Sequence, residues 1–233
     1  MKTMTVITLF PEYFKAFKEQ GKASTAFGRF VDFNVLNLRD FTDTKYKSVD
    51  DYPYGGGHGM VMRADILKKA LESISDRPEN LRVIYPCPRG KKWDASSANR
   101  LAKDISNKED QRDIVFICGR YEGIDERFIQ KYVTDMYSLG DFILTGGELA
   151  VMAIIDSTVR LIRGTLGNEQ SIQNESFENG LLEHGHFTKP RDFEGMEVPS
   201  VLVSGHHKKI EEFRAQQAKD LTHKYRPDII RES

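Results

Sequence analysis

Hydrophobic residues in this chain come in two patterns, short near-continuous runs and longer stretches spaced for one face of a helix, and the two alternate along most of its length. Met4 to Phe10 is a β-rich run ended by Pro11, which suits the first turn of a helix through Gln20, stopped by Gly21. Val31 to Leu38 alternates apolar and polar positions, which predicts a second strand. A long polar stretch follows, Asp40 to Gly59, with Lys45, Lys47, Asp50 and Asp51; a loop of that length in a compact domain is usually functional or mobile. Ile66, Leu67, Ala70, Leu71 and Ile74 share one helical face within Ala64 to Ser75, and Leu81 to Tyr85 reads as a strand. Asp94 is a natural N-cap for a helix from Ala95 to Ile105, Ile114 to Cys118 is an apolar strand, and Asp125 caps a short helix through Tyr132. From Glu148, an apolar stripe of Leu149, Met152, Ile155, Val159 and Ile162 ends at Gly164 and reads as core or subunit interface. Alternating strands and helices predict an α/β fold with a mostly parallel sheet covered on both faces.

The pattern then breaks. Gly167 to Glu178 is polar and aperiodic, as a linker is, which divides the chain into a first domain at 1–166, a linker at 167–178 and a mainly helical second domain at 179–233. The second domain holds Lys189-Pro190-Arg191, a short apolar run from Val198 to Val203, and a helix opened by Ser204 with Lys208, Lys209, Arg214 and Lys219 exposed. From Ser204 to Arg226 six basic residues (Lys208, Lys209, Arg214, Lys219, Lys224, Arg226) face three acidic ones (Glu211, Glu212, Asp220), which describes either a solvated helix face or a modest phosphate-contacting surface. His184, His186, His206 and His207 raise the question of a metal, but no cysteine or carboxylate is read at ligand spacing and no metal ligand is assigned.

Candidate chemistry gathers in three glycine-bearing loops, each after a predicted strand end. Ser138-Leu-Gly-Asp-Phe-Ile-Leu-Thr-Gly-Gly-Glu-Leu-Ala150 reads as a strand end, a sharp loop and the start of an apolar helix, where an α/β fold places a ligand. Gly140, Gly146 and Gly147 lack a Cβ, so the backbone there is expected to turn with positive φ and bring its N–H and C=O groups against a flat ligand such as a nucleobase; an ordinary turn and helix cap is the plainer reading. The other two are Cys118-Gly-Arg-Tyr-Glu-Gly-Ile-Asp125 and Tyr85-Pro-Cys-Pro-Arg-Gly90. Tyr54 to Gly59 packs four glycines into six residues, yet fits neither a P-loop nor the dinucleotide fingerprint, and His58 within it reads as a surface or packing residue.

Composition narrows the classes further. The 233 residues carry 34 Lys+Arg against 35 Asp+Glu, so bulk charge does not announce a nucleic-acid binder and any attraction to phosphates must be local. Cys87 and Cys118 each follow an apolar run and do not suggest a disulfide framework. The first apolar run is too short for a signal-peptide core, no segment approaches the roughly 18 apolar residues of a membrane span, and a cytoplasmic location is expected.

The motifs Leu139-Gly-Asp-Phe-Ile-Leu-Thr-Gly-Gly-Glu-Leu149, Cys118-Gly-Arg-Tyr-Glu-Gly-Ile-Asp-Glu-Arg127 and Tyr54-Gly-Gly-Gly-His-Gly-Met-Val-Met62 resemble those of the bacterial tRNA (guanine-N1)-methyltransferases, the TrmD family of the SPOUT superfamily. The resemblance runs nearly end to end, from Ile7-Thr-Leu-Phe-Pro11 to Ser204-Gly-His-His207. It implies a deep trefoil knot, S-adenosylmethionine as cofactor, tRNA as substrate with N1 of guanosine 37 as the target, a Mg²⁺ dependence, and a homodimer with shared active sites. Its cofactor contacts map onto Tyr85, Pro86, Cys87, Pro88, Gly119, Tyr121, Glu122, Ser138, Leu139, Gly140, Asp141, Phe142, Ile143, Leu144, Gly146 and Gly147.

Methylation at N1 of guanine requires a base to take the N1 proton and a donor for the negative charge that develops toward O6. By place in the motif, Glu175 matches the family's catalytic aspartate and Arg160 the arginine assigned to the guanine oxygen. The family pattern is Asp-Ser-Phe where this chain has Glu175-Ser176-Phe177, one methylene longer; without the resemblance, Glu175 reads as a solvated linker carboxylate. Two other readings stand beside the methyltransferase: a non-catalytic RNA-binding protein of the same fold, and a related RNA methyltransferase with a different target atom. His58 and Ala150 also depart from the family's usual residues.

Overall fold

A computed structural model describes residues 1–166, 175–177 and 179–230 of the chain. They fall into two compact units that divide between Gly167 and Asn168; most of the linker expected at 167–178 lies outside the described residues.

The first unit runs β1 (Lys2–Thr8), α1 (Tyr13–Glu19), β2 (Val31–Asn37), β3 (Asp50–Asp51), β4 (Val61–Met62), α2 (Ala64–Glu72), β5 (Arg82–Lys92), α3 (Ala95–Ser106), β6 (Ile114–Ile117), α4 (Glu126–Tyr132), β7 (Asp135–Ser138) and α5 (Glu148–Val159). Five strands form one sheet in the order β2-β1-β6-β5-β7, with every pairing parallel. Successive strand side chains point to opposite faces, and here both faces are apolar. Met4, Val6, Ile84, Ile114 and Phe116 pack with Phe14 of α1, Leu101 and Ile105 of α3, and Val151, Ile154, Ile155 and Val159 of α5. Ile7, Val83, Val115 and Ile117 pack on the other face with Leu67 and Leu71 of α2 and Phe128 of α4. The sequence-based α/β expectation is met in this two-layered core.

Local signals set the helix starts. The Asp94 carboxylate accepts from the Ser97 N–H at 2.8 Å and Asp125 accepts from the Arg127 N–H at 2.9 Å, each satisfying a donor that a helix N-terminus leaves unpaired. Arg82, buried at the start of β5, ties three elements together: its guanidinium donates to Asp104 on α3 at 2.5 Å and to both carboxylate oxygens of Asp135 on β7 at 3.1 and 3.2 Å.

Four expectations need correction. The strand read as ending at Tyr85 continues to Lys92, because Pro86 and Lys91 both align with Tyr137 on β7 and the residues between them loop out as a bulge. The polar stretch before Gly59 contains β3, which pairs antiparallel with β4. The α5 stripe is rotated: Val151, Ile154, Ile155, Thr158 and Val159 are buried while Leu149 is 52% exposed, since a helix apolar nearly all round gives periodicity little to distinguish its inner face. Finally, the basic helix begins after His206, Ser204 instead closing the short 3₁₀ turn Ser200–Val203.

The second unit holds the hairpin β8 (Asp192–Phe193) and β9 (Met196–Glu197), that 3₁₀ turn, and α6 (His207–Tyr225). Thr222 is its one buried residue among those described.

Candidate active site

Because β6, β5 and β7 are neighbours in a parallel sheet, their carboxyl ends lie side by side, and the loops leaving them enclose a cavity of about 410 Å³. The β5 bulge contributes Tyr85, Pro86, Cys87 and Pro88; the loop after β6 contributes Gly119, Tyr121 and Glu122; Ser138, Leu139, Gly140, Phe142, Ile143, Leu144, Gly146 and Gly147 come from the segment between β7 and α5. Asp141 alone among the sequence-predicted cofactor residues is not in the lining; it is exposed. Arg120, Gly123, Tyr137, Thr145 and Ala150 also line the cavity, none of them assigned to the cofactor from the sequence.

The glycines matter for close approach more than for handedness. Gly147 sits at φ −77°, and neither it nor Gly146 has the positive φ expected of them. A Cβ on Gly147 would lie 2.8 Å from the Gly119 nitrogen and 2.9 Å from the Cα of Cys118, and the Gly147 N–H donates to the Gly119 carbonyl at 2.9 Å. The two loops are therefore joined backbone to backbone with no room for a side chain. A Cβ on Gly119 would meet the Tyr85 ring at 2.8 Å, and one on Gly140, whose φ is +155°, would meet the Phe142 ring at 2.8 Å.

Beneath this cradle lies an ion pair with only a faint signal in the sequence. Arg120 reaches Glu148 through Nη2 to Oε2 at 2.9 Å and Nε to Oε1 at 3.3 Å, and its Nη1 donates to the Thr145 carbonyl at 3.0 Å. The Glu148 side chain is 1% exposed, and the Thr8 hydroxyl donates to it at 2.8 Å. Burial works against the Arg120 charge, yet the hydrogen bond and charge of Glu148 raise its pKa on balance. A Cβ on Gly146 would fall 2.2 Å from Arg120 Nε and 2.6 Å from Glu148 Oε2, so the pair and the glycine fit only together. The available signal was a carboxylate opening an apolar helix, since a buried charge needs a partner.

Two weakly acidic side chains nearby, Tyr85 and Cys118, are held neutral. Burial, with Cys87 close by, pushes the Tyr85 phenol up to about 12, and burial beside Glu148 pushes the Cys118 thiol well above its ordinary value. Both cysteines are free. The Tyr54 to Met62 segment is fastened to the loop after β6: the Glu122 N–H donates to Met60 at 3.0 Å and the Met62 N–H to Gly123 at 2.9 Å. Gly59, at φ +86°, packs so tightly on the Glu122 side chain that a Cβ there would be 2.5 Å from it, whereas His58 is exposed.

Arg160 is half-buried at the C-cap of α5, and Glu175 is half-buried in the second unit. Among the described residues one group of three metal-ligating side chains has its ligand atoms within 4.8 Å of one another: Glu183, His184 and His186. That corrects the sequence reading, which found no carboxylate at ligand spacing. Two of its three donors are imidazole nitrogens, a set that suits a nitrogen-seeking ion and does not fit Mg²⁺, which prefers oxygen ligands.

A family model described as tRNA (Guanine-1)-methyltransferase TrmD matches residues 1–232. A protein named tRNA (guanine-N(1)-)-methyltransferase from Anoxybacillus flavithermus is 46% identical over 227 residues, covering 97% of this chain and 90% of the relative. One of the same name from Clostridioides difficile is 45% identical over 231 residues, covering 98% of this chain and 97% of the relative.

Proposed function

The chain belongs to the tRNA (guanine-1)-methyltransferase TrmD family, and on that premise we propose that it transfers a methyl group from S-adenosylmethionine to N1 of guanosine 37 in tRNA. The observation that carries the cofactor assignment is the cavity at the ends of β5, β6 and β7, whose glycine cradle excludes side chains and leaves backbone groups to meet a nucleoside. When bound, the sulfonium cofactor supplies an electrophilic methyl group.

In this reading Glu175 accepts the N1 proton of guanine, freeing the nitrogen lone pair to attack the methyl carbon as its bond to sulfur breaks. Arg160 donates to O6, where negative charge gathers as the proton leaves. Arg120 and Glu148 hold the Gly146–Gly147 turn in place. The reading also includes a trefoil-knotted first domain at 1–166, a linker at 167–178, a tRNA-contacting domain at 179–233, a homodimer and a cytoplasmic setting. The exposed apolar side chains Leu149 (52%), on α5, and Ile143 (80%), in the loop before it, support a second copy. No helix among the described residues is long and apolar enough to cross a membrane.

The test is to incubate the protein with labelled S-adenosylmethionine and a tRNA transcript carrying guanosine at position 37, then digest to nucleosides. Label in N1-methylguanosine is the expected result, with Glu175→Gln and Arg160→Ala each lowering the single-turnover rate by roughly 10²-fold or more at nearly unchanged cofactor affinity. Label in another nucleoside, or RNA binding without transfer, would replace this reading with one of its two alternatives.

A further inference from the structure

We propose that Glu183, His184 and His186, in the second unit, form a binding site for a nitrogen-seeking divalent transition ion, with Zn²⁺ as the representative. The ligand atoms of the three residues lie within 4.8 Å of one another, and His186 Nε2 is 3.0 Å from Glu183 Oε1. Ligands bonded at 2.0–2.1 Å to a tetrahedral ion stand roughly 3.3 Å apart, so an ion can replace the Glu183–His186 contact with little movement and draw in the third ligand by side-chain rotation.

Two features favour ligation over a chance cluster of polar groups. The first is tautomer: His184 Nδ1 lies 3.0 Å from the Gly185 carbonyl, and with Nδ1–H donating there, Nε2 carries the lone pair that a metal needs. The second is anchoring, for the stretch of chain bearing these residues is tied down just before the site and within it. The Leu182 N–H donates to the Thr222 hydroxyl at 2.8 Å, the Glu183 N–H to the Ser176 hydroxyl at 2.9 Å, and the Gly185 N–H to the Gln217 carbonyl oxygen at 2.9 Å. Each anchor uses backbone N–H groups and leaves the side chains of Glu183, His184 and His186 to the ion.

Electrostatics selects among ions. His184 and His186 line a cavity of about 380 Å³ together with Lys189, Arg191 and Arg214, so the surrounding field repels cations, and Glu183 supplies the one carboxylate of the set. Affinity must then come from coordinate bonds to imidazole nitrogen. That excludes Mg²⁺ and Ca²⁺, which bind through several oxygens, and admits Zn²⁺, Ni²⁺, Co²⁺ and Cu²⁺, leaving a fourth position open to water or an anion.

The experiment uses the full chain, free of any affinity tag and stripped with a chelator, titrated with ZnCl₂ by calorimetry and with CoCl₂ by visible absorption. One ion per chain with tetrahedral cobalt bands is expected, and Mg²⁺ at the same concentration should not compete for this site. Glu183→Gln, which keeps the backbone anchor to Ser176, and His186→Asn should each weaken Zn²⁺ binding by at least about tenfold, with circular dichroism confirming an unchanged fold. His207→Asn, outside the cluster, should leave affinity unchanged. Parent-like Zn²⁺ affinity in the Glu183→Gln/His186→Asn double variant would overturn the proposal, as would the absence of one-to-one binding in the parent protein.

Discussion

The two units of this chain are built by different forces. In the first, both faces of a parallel sheet are sealed by helices, and side chains such as Phe116, Ile154 and Leu67 are wholly buried. In the second, the one buried residue among those described is Thr222, whose hydroxyl donates to the Ala218 carbonyl and accepts from the Leu182 N–H. One unit is held by sealed apolar layers; the other has, among its described residues, at most half-buried apolar side chains, with side-chain hydrogen bonds to backbone beside them. Apolar burial contributes about 1.5–3 kcal/mol for each large side chain, whereas a neutral hydrogen bond contributes about 0.5–1.5 kcal/mol net. The cradle of the candidate active site therefore stands on the rigid unit, and the basic helix α6 on the one with least core.

The contrast is sharpest under truncation. Phe116→Ala should destabilise the first unit by about 3–5 kcal/mol, read as a lower denaturant midpoint of that unit, because its packed surroundings cannot collapse into the space left. A loss below about 1 kcal/mol would mean that the layers are more plastic than their packing suggests.

Gly147→Ala probes the same unit at the site. The added carbon must displace the backbone of Gly119 or Cys118, at about 1–3 kcal/mol, so S-adenosylmethionine affinity by calorimetry should fall at least tenfold. Unchanged affinity would detach this turn from the cofactor.

Electrostatics gives a smaller effect with a defined sign. Burial raises the Asp135 pKa, but its hydrogen bonds to Arg82 and Thr134 outweigh that and hold it below the ordinary 3.8. A group whose folded pKa is depressed adds stability that is present above its unfolded pKa and lost as pH falls through the folded value. Stability of the first unit should thus decline as pH drops below about 4, and Arg82→Met should flatten that decline while costing about 1–3 kcal/mol at neutral pH, since Asp104 and Asp135 are only partly buried. An unaltered acid profile in Arg82→Met would assign the pH dependence elsewhere.

The smallest change is the most telling for the second unit. Thr222→Val keeps shape and removes the hydroxyl, leaving the Leu182 N–H without its partner, and should cost about 1 kcal/mol. Amide exchange should quicken at Leu182 and in α6 while the sheet stays protected; faster exchange across β1 and β6 instead would show the two units to be one cooperative structure.

Much of the first unit was legible in advance because its signals are short-range. Periodicity placed the strands and helices, and Asp94 and Asp125 marked helix starts through bonds that reach only two or three residues along the chain. The three loops could be nominated from glycines at strand ends. The inner face of α5 could not, because a helix apolar on nearly every side does not say which side is buried. The glycine φ values were misjudged for a related reason: a missing Cβ serves both handed turns and close contact, and the sequence does not say which. The Glu183 group was within reach, three ligands in four positions, but a lone glutamate beside histidines gives no sign of whether the chain bends them together.

By itself, then, the sequence determined what most segments of the first unit would become and which loops could carry chemistry, since hydrogen bonds to near neighbours and the hydrophobic period are encoded locally. Tertiary structure alone decided the rest. The strand order β2-β1-β6-β5-β7 brings the ends of β5, β6 and β7 together, the β5 bulge turns Cys87 and Pro88 to the cavity, and Arg120 meets Glu148 across 28 positions of chain. Such contacts follow from how whole layers pack and where closed space remains, a property of the assembled fold that no window of neighbouring residues contains.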